Sequence, residues 1–126
     1  MSLRTPLGRV LGLGSARDGT GHFVAQRISA IALAFLGCWF LWSLLMMDSL
    51  SYLDVIRFIA QPLNGILLPL FCITVSYHSY LGMQVVIEDY VHANGLKFFT
   101  LTASKFAHVF IAVATLYAIL SIGLGQ

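Results

Sequence analysis

The chain has 126 residues, of which 59% are hydrophobic and only 10% are charged. Soluble proteins contain roughly 45–50% apolar and about 25% charged residues, and a chain this short could not bury so much apolar surface. The composition therefore excludes an ordinary soluble enzyme and a disordered chain. The thinly spread net charge of +2 leaves no basic surface for nucleic acid.

Charged residues leave three long uncharged stretches, at residues 28–47, 58–87 and 106–126. An α-helix needs about 20 predominantly apolar residues to cross a bilayer. We therefore predict an all-α membrane protein with three transmembrane helices, at about 24–47, 63–89 and 98–124. The first stretch is too long for the apolar region of a secretory signal peptide.

The segment before the first helix is rich in Gly, Ser and Arg. We expect an amino-terminal arm over residues 1–21, followed by a three-helix membrane domain over residues 22–126. An Arg-rich segment that is poor in acidic residues is also typical of an organellar transit peptide. The composition of residues 1–21 leaves a cleaved leader and a retained arm both open.

The first helix is expected to begin near His22–Gln26 and to carry Arg27 near its start. This guanidinium either reaches lipid phosphate or pairs with a carboxylate of a buried cofactor. The second helix is expected to begin near Pro62 or Leu63. Pro69 lies inside it and predicts a kink, because proline removes a backbone donor. A turn signal at Asn94–Gly95 precedes the third helix.

The basic residues predict the orientation of the helices. Arg57 is the only one in the first loop. The other six lie in the amino-terminal segment, at the start of the first helix, and around the loop before the third helix: Arg4, Arg9, Arg17, Arg27, Lys97 and Lys105. Basic residues concentrate on the cytoplasmic side. We therefore expect a cytoplasmic amino terminus and a periplasmic carboxyl terminus.

His78 is the deepest ionisable residue of the second helix. It lies twelve residues before Tyr90, or about 18 Å along a helix, which is near the middle of a bilayer. An imidazole at this depth serves either as an interhelical hydrogen-bonding group or as a metal or haem ligand. His108 in the third helix is a rival ligand, although a packing role suits it better.

Two residues share the helix face of His78. Gly82 lies four residues further on and leaves room for a large flat group, and Asp89 lies within about 20° of the same face after three turns. The alternative for Asp89 and Tyr90 is an ordinary polar cap with an interfacial aromatic ring. No second histidine lies on this face. A six-coordinate haem would therefore need a ligand from another chain.

These residues resemble a known family. The run from Tyr77 to His92 is similar to the D-type membrane anchor of succinate dehydrogenase (respiratory complex II), in which a histidine is followed by glycine at +4 and Asp-Tyr at +11 and +12. The first-helix signature of that family appears as His22, Gln26–Arg27 and Ser29–Ala30. The arm looks like that of alphaproteobacterial members, which favours a retained segment over a transit peptide.

The resemblance implies a role for each matching residue. His78 would be one axial ligand of haem b, and the C-type anchor subunit would supply the other. Tyr90 would hydrogen-bond ubiquinone, and Asp89 would support that site. His22 and Arg27 would lie near the haem propionates, and Gly82 would give the haem clearance.

The resemblance also implies partners and a location. The chain would bind the C-type anchor, the iron–sulfur subunit and the flavoprotein subunit in a bacterial inner membrane rather than a mitochondrial one. It would hold no catalytic residue itself, so whether the isolated chain is an enzyme stays open. The alternatives are an anchor of quinol:fumarate reductase and a structural membrane anchor without a cofactor.

Overall fold

The computed structural model describes residues 16–125, with side chains from Thr20 onward. This range forms four helices, α1 (Ala16–Leu45), α2 (Tyr52–Ala60), α3 (Asn64–Tyr90) and α4 (Asn94–Gly123), and contains no strand. Helices α1, α3 and α4 are each long and apolar enough to cross a membrane. The prediction of an all-α protein with three transmembrane helices is confirmed. The orientation and the kink at Pro69 stay predictions.

Two of the long helices begin earlier than predicted. Helix α1 begins at Ala16 instead of near residue 24, and α4 begins at Asn94 instead of near residue 98. Each has 30 residues and is about 45 Å long at 1.5 Å per residue, which exceeds the roughly 30 Å hydrocarbon core. Hydropathy locates the part of a helix inside the bilayer, whereas the helix itself continues through polar turns. The other predicted ends agree within two residues.

The boundary predicted between arm and membrane domain therefore falls inside α1. Residues 1–15 lie outside the described part of the chain, and the arm over residues 1–21 stays a prediction for them. The Asn94–Gly95 pair lies in the first turn of α4 rather than in a loop. Backbone N–H groups of a first helical turn have no intrahelical partner, so residues that favour turns are tolerated there.

Helix α2 occupies the segment that we predicted to be a loop. Its first turn is capped by Ser51, whose hydroxyl accepts a hydrogen bond from the Asp54 N–H at 3.3 Å. The Asp54 carboxylate accepts hydrogen bonds from the hydroxyls of Ser49 and Ser51. These two bonds, with a smaller contribution from the Arg57 guanidinium, hold the pKa of Asp54 below its usual value of 3.8.

Helix α3 lies between α1 and α4, which do not pack against each other in the described part of the chain. Among the buried residues are Ser29 of α1 and Ser76 of α3, which are 6% and 8% exposed. Small residues at helix interfaces let transmembrane helices approach closely. Most large apolar side chains are exposed, among them Phe35, Phe98 and Phe110. This surface suits contact with lipid or with another subunit.

Candidate functional site

Two groups of polar side chains lie within the spanning helices, one on each side of α3. The group that we call the α1–α3 seam consists of His22, Gln26 and Ser29 on α1 with His78 and Gly82 on α3. The group that we call the α3–α4 cluster consists of Ser76, Ser79, Ser104 and His108. The α1–α3 seam contains His78 and the α3–α4 cluster contains His108. The hydrogen bonds of each imidazole decide whether one of its ring nitrogens is left to bind a further group.

His78 is hydrogen-bonded to α1. Its Nδ1 lies 2.9 Å from the Ser29 hydroxyl oxygen, and that oxygen lies 3.0 Å from the Gln26 carbonyl oxygen. The carbonyl can only accept, so the hydroxyl proton is directed to Gln26. Nδ1 of His78 then supplies the N–H that the Ser29 oxygen accepts.

With the hydroxyl proton directed to Gln26, the contact with Ser29 favours the Nδ1–H tautomer of His78. A neutral imidazole carries one N–H, so Nε2 keeps an unprotonated lone pair. No hydrogen bond to Nε2 is made by a side chain within residues 20–125 or by the described backbone. The two uses expected for a histidine at this depth are therefore compatible, since Nδ1 makes the interhelical hydrogen bond and Nε2 stays available as a ligand.

Two further polar atoms on the α1–α3 seam have no partner. His22 Nε2 and Gln26 Oε1 are buried and make no hydrogen bond with any described residue. Such atoms are rare in native proteins because an unpaired buried polar group loses its hydration. The amide oxygen and nitrogen of Gln26 can exchange places by a flip. The seam therefore offers two polar positions to a group from outside the chain.

Gly82 lies on the same seam, beside Gln26. A Cβ atom added at Gly82 would lie 3.8 Å from Gln26 Nε2, which is an ordinary van der Waals distance. The packing of α1 on α3 therefore does not itself require glycine here. The clearance that we predicted for Gly82 stays a prediction.

Arg27 points away from the α1–α3 seam. Its guanidinium carbon lies 5.1 Å from the centre of the Phe23 ring, and its side chain is exposed. Five helical residues rotate a side chain by 500°, so Arg27 is about 140° around the helix from His22. The structure does not bring these two residues to one place. Their predicted proximity to haem propionates stays a prediction, and the geometry favours His22.

Asp89 and Tyr90 lie at the carboxyl end of α3. Both are exposed, and Tyr90 is 81% exposed. Neither contacts His78, from which Tyr90 is separated by about 18 Å along the helix. Beside them, the Lys97 ammonium donates a 2.8 Å hydrogen bond to the Glu88 carbonyl. Within the described part of the chain, this end of the bundle therefore presents a phenol and a carboxylate that make no hydrogen bond, next to a lysine.

His108 is fully used in packing. Its Nδ1 donates to the Ser104 carbonyl at 2.7 Å, and its Nε2 lies 3.2 Å from the Ser79 hydroxyl, which then donates to it. The His108 carbonyl accepts from the Ser76 hydroxyl at 2.9 Å. Both ring nitrogens have partners, and the contacts with Ser76 and Ser79 join α4 to α3, which supports a packing role for this histidine.

The described residues contain no cluster of three or more His, Cys, Asp or Glu side chains that could hold a metal ion. Any metal at His78 would therefore need other ligands, such as a porphyrin and a second chain. Sequence reasoning missed the contacts of Ser29 and Gln26. Their spacing with His22, at i, i+4 and i+7, indicates that the three residues share one helix face, but it does not identify the residues of α3 that this face contacts.

Known proteins resemble this chain over most of its length. The family described as succinate dehydrogenase/fumarate reductase transmembrane subunit matches residues 1–120. The succinate dehydrogenase hydrophobic membrane anchor subunit of Rickettsia bellii (strain RML369-C) is 38% identical over 106 residues, covering 84% of this chain and 85% of that protein. The subunit of the same name from Paracoccus denitrificans is 31% identical over 121 residues, covering 96% and 93%.

Proposed function

The chain belongs to the succinate dehydrogenase/fumarate reductase transmembrane subunit family, and from this premise we propose a threefold role for it in the assembled enzyme. It is a membrane-anchor subunit of succinate dehydrogenase and a multi-pass protein of the bacterial inner membrane. Within that complex it tethers the flavoprotein and iron–sulfur subunits, supplies one axial ligand of haem b, and forms one wall of the ubiquinone-reduction site.

The observation that carries the haem proposal is the 2.9 Å hydrogen bond between His78 Nδ1 and the Ser29 hydroxyl. Metal-binding histidines almost always donate their second ring N–H to a neighbouring acceptor, which orients the ring and raises its basicity. His78 has this arrangement, and its Nε2 is free to bind iron. When bound, haem supplies one-electron chemistry, whereas the protein supplies ligation and placement.

The rest of the α1–α3 seam suits the same group. His22 Nε2 and the flipped amide of Gln26 can donate hydrogen bonds to carboxylates, and both lie unpaired on this seam. A propionate that accepts these bonds would satisfy two buried atoms of the chain. The other deep histidine of this chain, His108, has both ring nitrogens occupied, so a second ligand would come from another subunit. The family resemblance assigns it to the C-type anchor.

The quinone proposal rests on the carboxyl end of α3. The Tyr90 hydroxyl can donate to a quinone carbonyl and stabilise negative charge as it develops on that oxygen. Asp89 is adjacent and can orient the polar groups of the same site. The distribution of basic residues predicts that this end lies on the cytoplasmic side, where protons for quinone reduction are available. The other walls of the site belong to the C-type and iron–sulfur subunits.

Tethering can be tested by cell fractionation. In cells that lack this chain, dye-linked succinate oxidation should move from the membrane fraction to the soluble fraction, because only the soluble subunits remain assembled. Expression of the wild-type chain should return the activity to the membrane. Dye-linked activity that stays membrane-bound without the chain would contradict tethering by this subunit.

A further inference from the structure

Ser29 lies between α1 and α3, where its hydroxyl contacts both the Gln26 carbonyl and His78 Nδ1. We propose that Ser29 is a positioning residue for haem, which holds the His78 ring in the Nδ1–H tautomer and directs Nε2 out of the chain. This inference rests on the proposed function, because it requires His78 to be a ligand.

The first support is the proton count. The Ser29 hydroxyl has one proton and lies 3.0 Å from the Gln26 carbonyl oxygen, which cannot donate. When that proton is directed to Gln26, the serine oxygen accepts at 2.9 Å from His78 Nδ1. Both short contacts are then satisfied only if Nδ1 carries the imidazole proton.

The second support is burial. Ser29 is 6% exposed, so water does not compete well for His78 Nδ1. Without the hydroxyl, the imidazole could rotate, or carry its proton on Nε2, and either change would remove the ligand lone pair from its position. Loss of such an outer partner typically weakens metal binding by about 10- to 100-fold.

The third support is a comparison within the chain. In His108, Nδ1 also donates to an oxygen, the backbone carbonyl of Ser104. Its Nε2, however, is occupied by the Ser79 hydroxyl. At His78 the serine contacts Nδ1 and leaves Nε2 without a partner in the described range. The position of the serine therefore distinguishes a ligand histidine from a packing histidine.

The test uses the purified four-subunit complex with Ser29→Ala, Ser29→Thr and the control Ser43→Ala. Ser43 lies on the same helix and also donates to a backbone carbonyl, that of Trp39 at 2.8 Å, without a histidine partner. Two quantities are measured, namely the rate of haem transfer to apomyoglobin and the haem midpoint potential in a redox titration.

We expect Ser29→Ala to lose haem about 10- to 100-fold faster and to shift the midpoint potential upward. The upward shift follows because a less basic imidazole stabilises ferric iron less. Ser29→Thr should restore both values, and Ser43→Ala should match wild type. If Ser29→Ala does not assemble, Ser29→Cys, which has a weak S–H group of similar size, should show the same two changes to a smaller extent.

Wild-type transfer rate and potential in Ser29→Ala would overturn the proposal. Faster haem loss with an unchanged potential would also overturn it, because that pattern belongs to a purely structural role. These outcomes differ from failure of the proposed function. In that case the wild-type complex would hold no haem, or its haem would be unaffected by His78→Ala.

Discussion

Replacement of Gly82 by alanine should affect the stability of the helix and the affinity for haem in opposite directions. Glycine inside a helix is less favourable than alanine by roughly 0.5–1 kcal/mol. The added Cβ would meet only Gln26 Nε2, at 3.8 Å, so no clash offsets this gain. The packing of this chain should therefore be unchanged or slightly stabilised.

Haem binding should respond in the opposite direction. If the space beside Gly82 is filled by the macrocycle, the extra methyl group overpacks the pocket, at a cost of about 1–3 kcal/mol. Since each 1.4 kcal/mol is a factor of about ten in affinity, haem should bind roughly 5- to 150-fold more weakly. The haem-to-flavin ratio of the purified complex and its thermal midpoint measure the two effects separately.

Gly37→Ala provides the control for Gly82→Ala. Gly37 is also inside a transmembrane helix, and an added Cβ there meets no atom within 4 Å. We expect it to keep the wild-type haem-to-flavin ratio. A wild-type ratio and haem affinity in Gly82→Ala would refute the clearance argument. If Gly82→Ala impairs assembly of the complex to the same extent with and without haem, Gly82 packs against another subunit instead.

Three further changes test other parts of the account. Tyr90→Phe should lower succinate:quinone reductase activity while dye-linked activity persists, and unchanged quinone kinetics would remove Tyr90 from the site. His22→Leu should change the haem potential more than Arg27→Leu, because only His22 lies on the α1–α3 seam, and a redox titration with the reverse order would contradict that geometry. The first turn of α2 should lose hydrogen-exchange protection only as the pH falls below 3.8, because the folded-state pKa of Asp54 is depressed and its stabilisation is complete above the unfolded value. Asp54→Asn should abolish this pH dependence. Loss of hydrogen-exchange protection near neutral pH in the wild-type chain would contradict the role given to the Asp54 carboxylate.

The number and approximate position of the transmembrane helices could be predicted because charges are excluded from the bilayer core. The early starts of α1 and α4 could not, because hydropathy does not report polar helical turns in water. Helix α2 was missed although its Ser51-x-x-Asp54 cap was visible in the sequence. We predicted a loop there because the segment between the first two transmembrane helices carries charged residues.

The candidate site was predictable in part. His78 was identified by its depth, and the separation of His22 from Arg27 follows from helical angles alone. The hydrogen bond between His78 and Ser29 was not predictable, because it depends on the axial register of α1 against α3. A packing role was already expected for His108, but its partner on α3, the Ser79 hydroxyl, depends on the same kind of register between helices.

The most direct test of the central claim is a reduced-minus-oxidised optical spectrum of the purified complex, recorded for wild type, His78→Ala and His108→Ala. We predict a b-type signal in wild type that is lost or shifted in His78→Ala and unchanged in form in His108→Ala. A b-type spectrum that is unchanged in His78→Ala would contradict ligation by this residue. Absence of haem from the wild-type complex would leave His78 as a packing residue of a structural anchor.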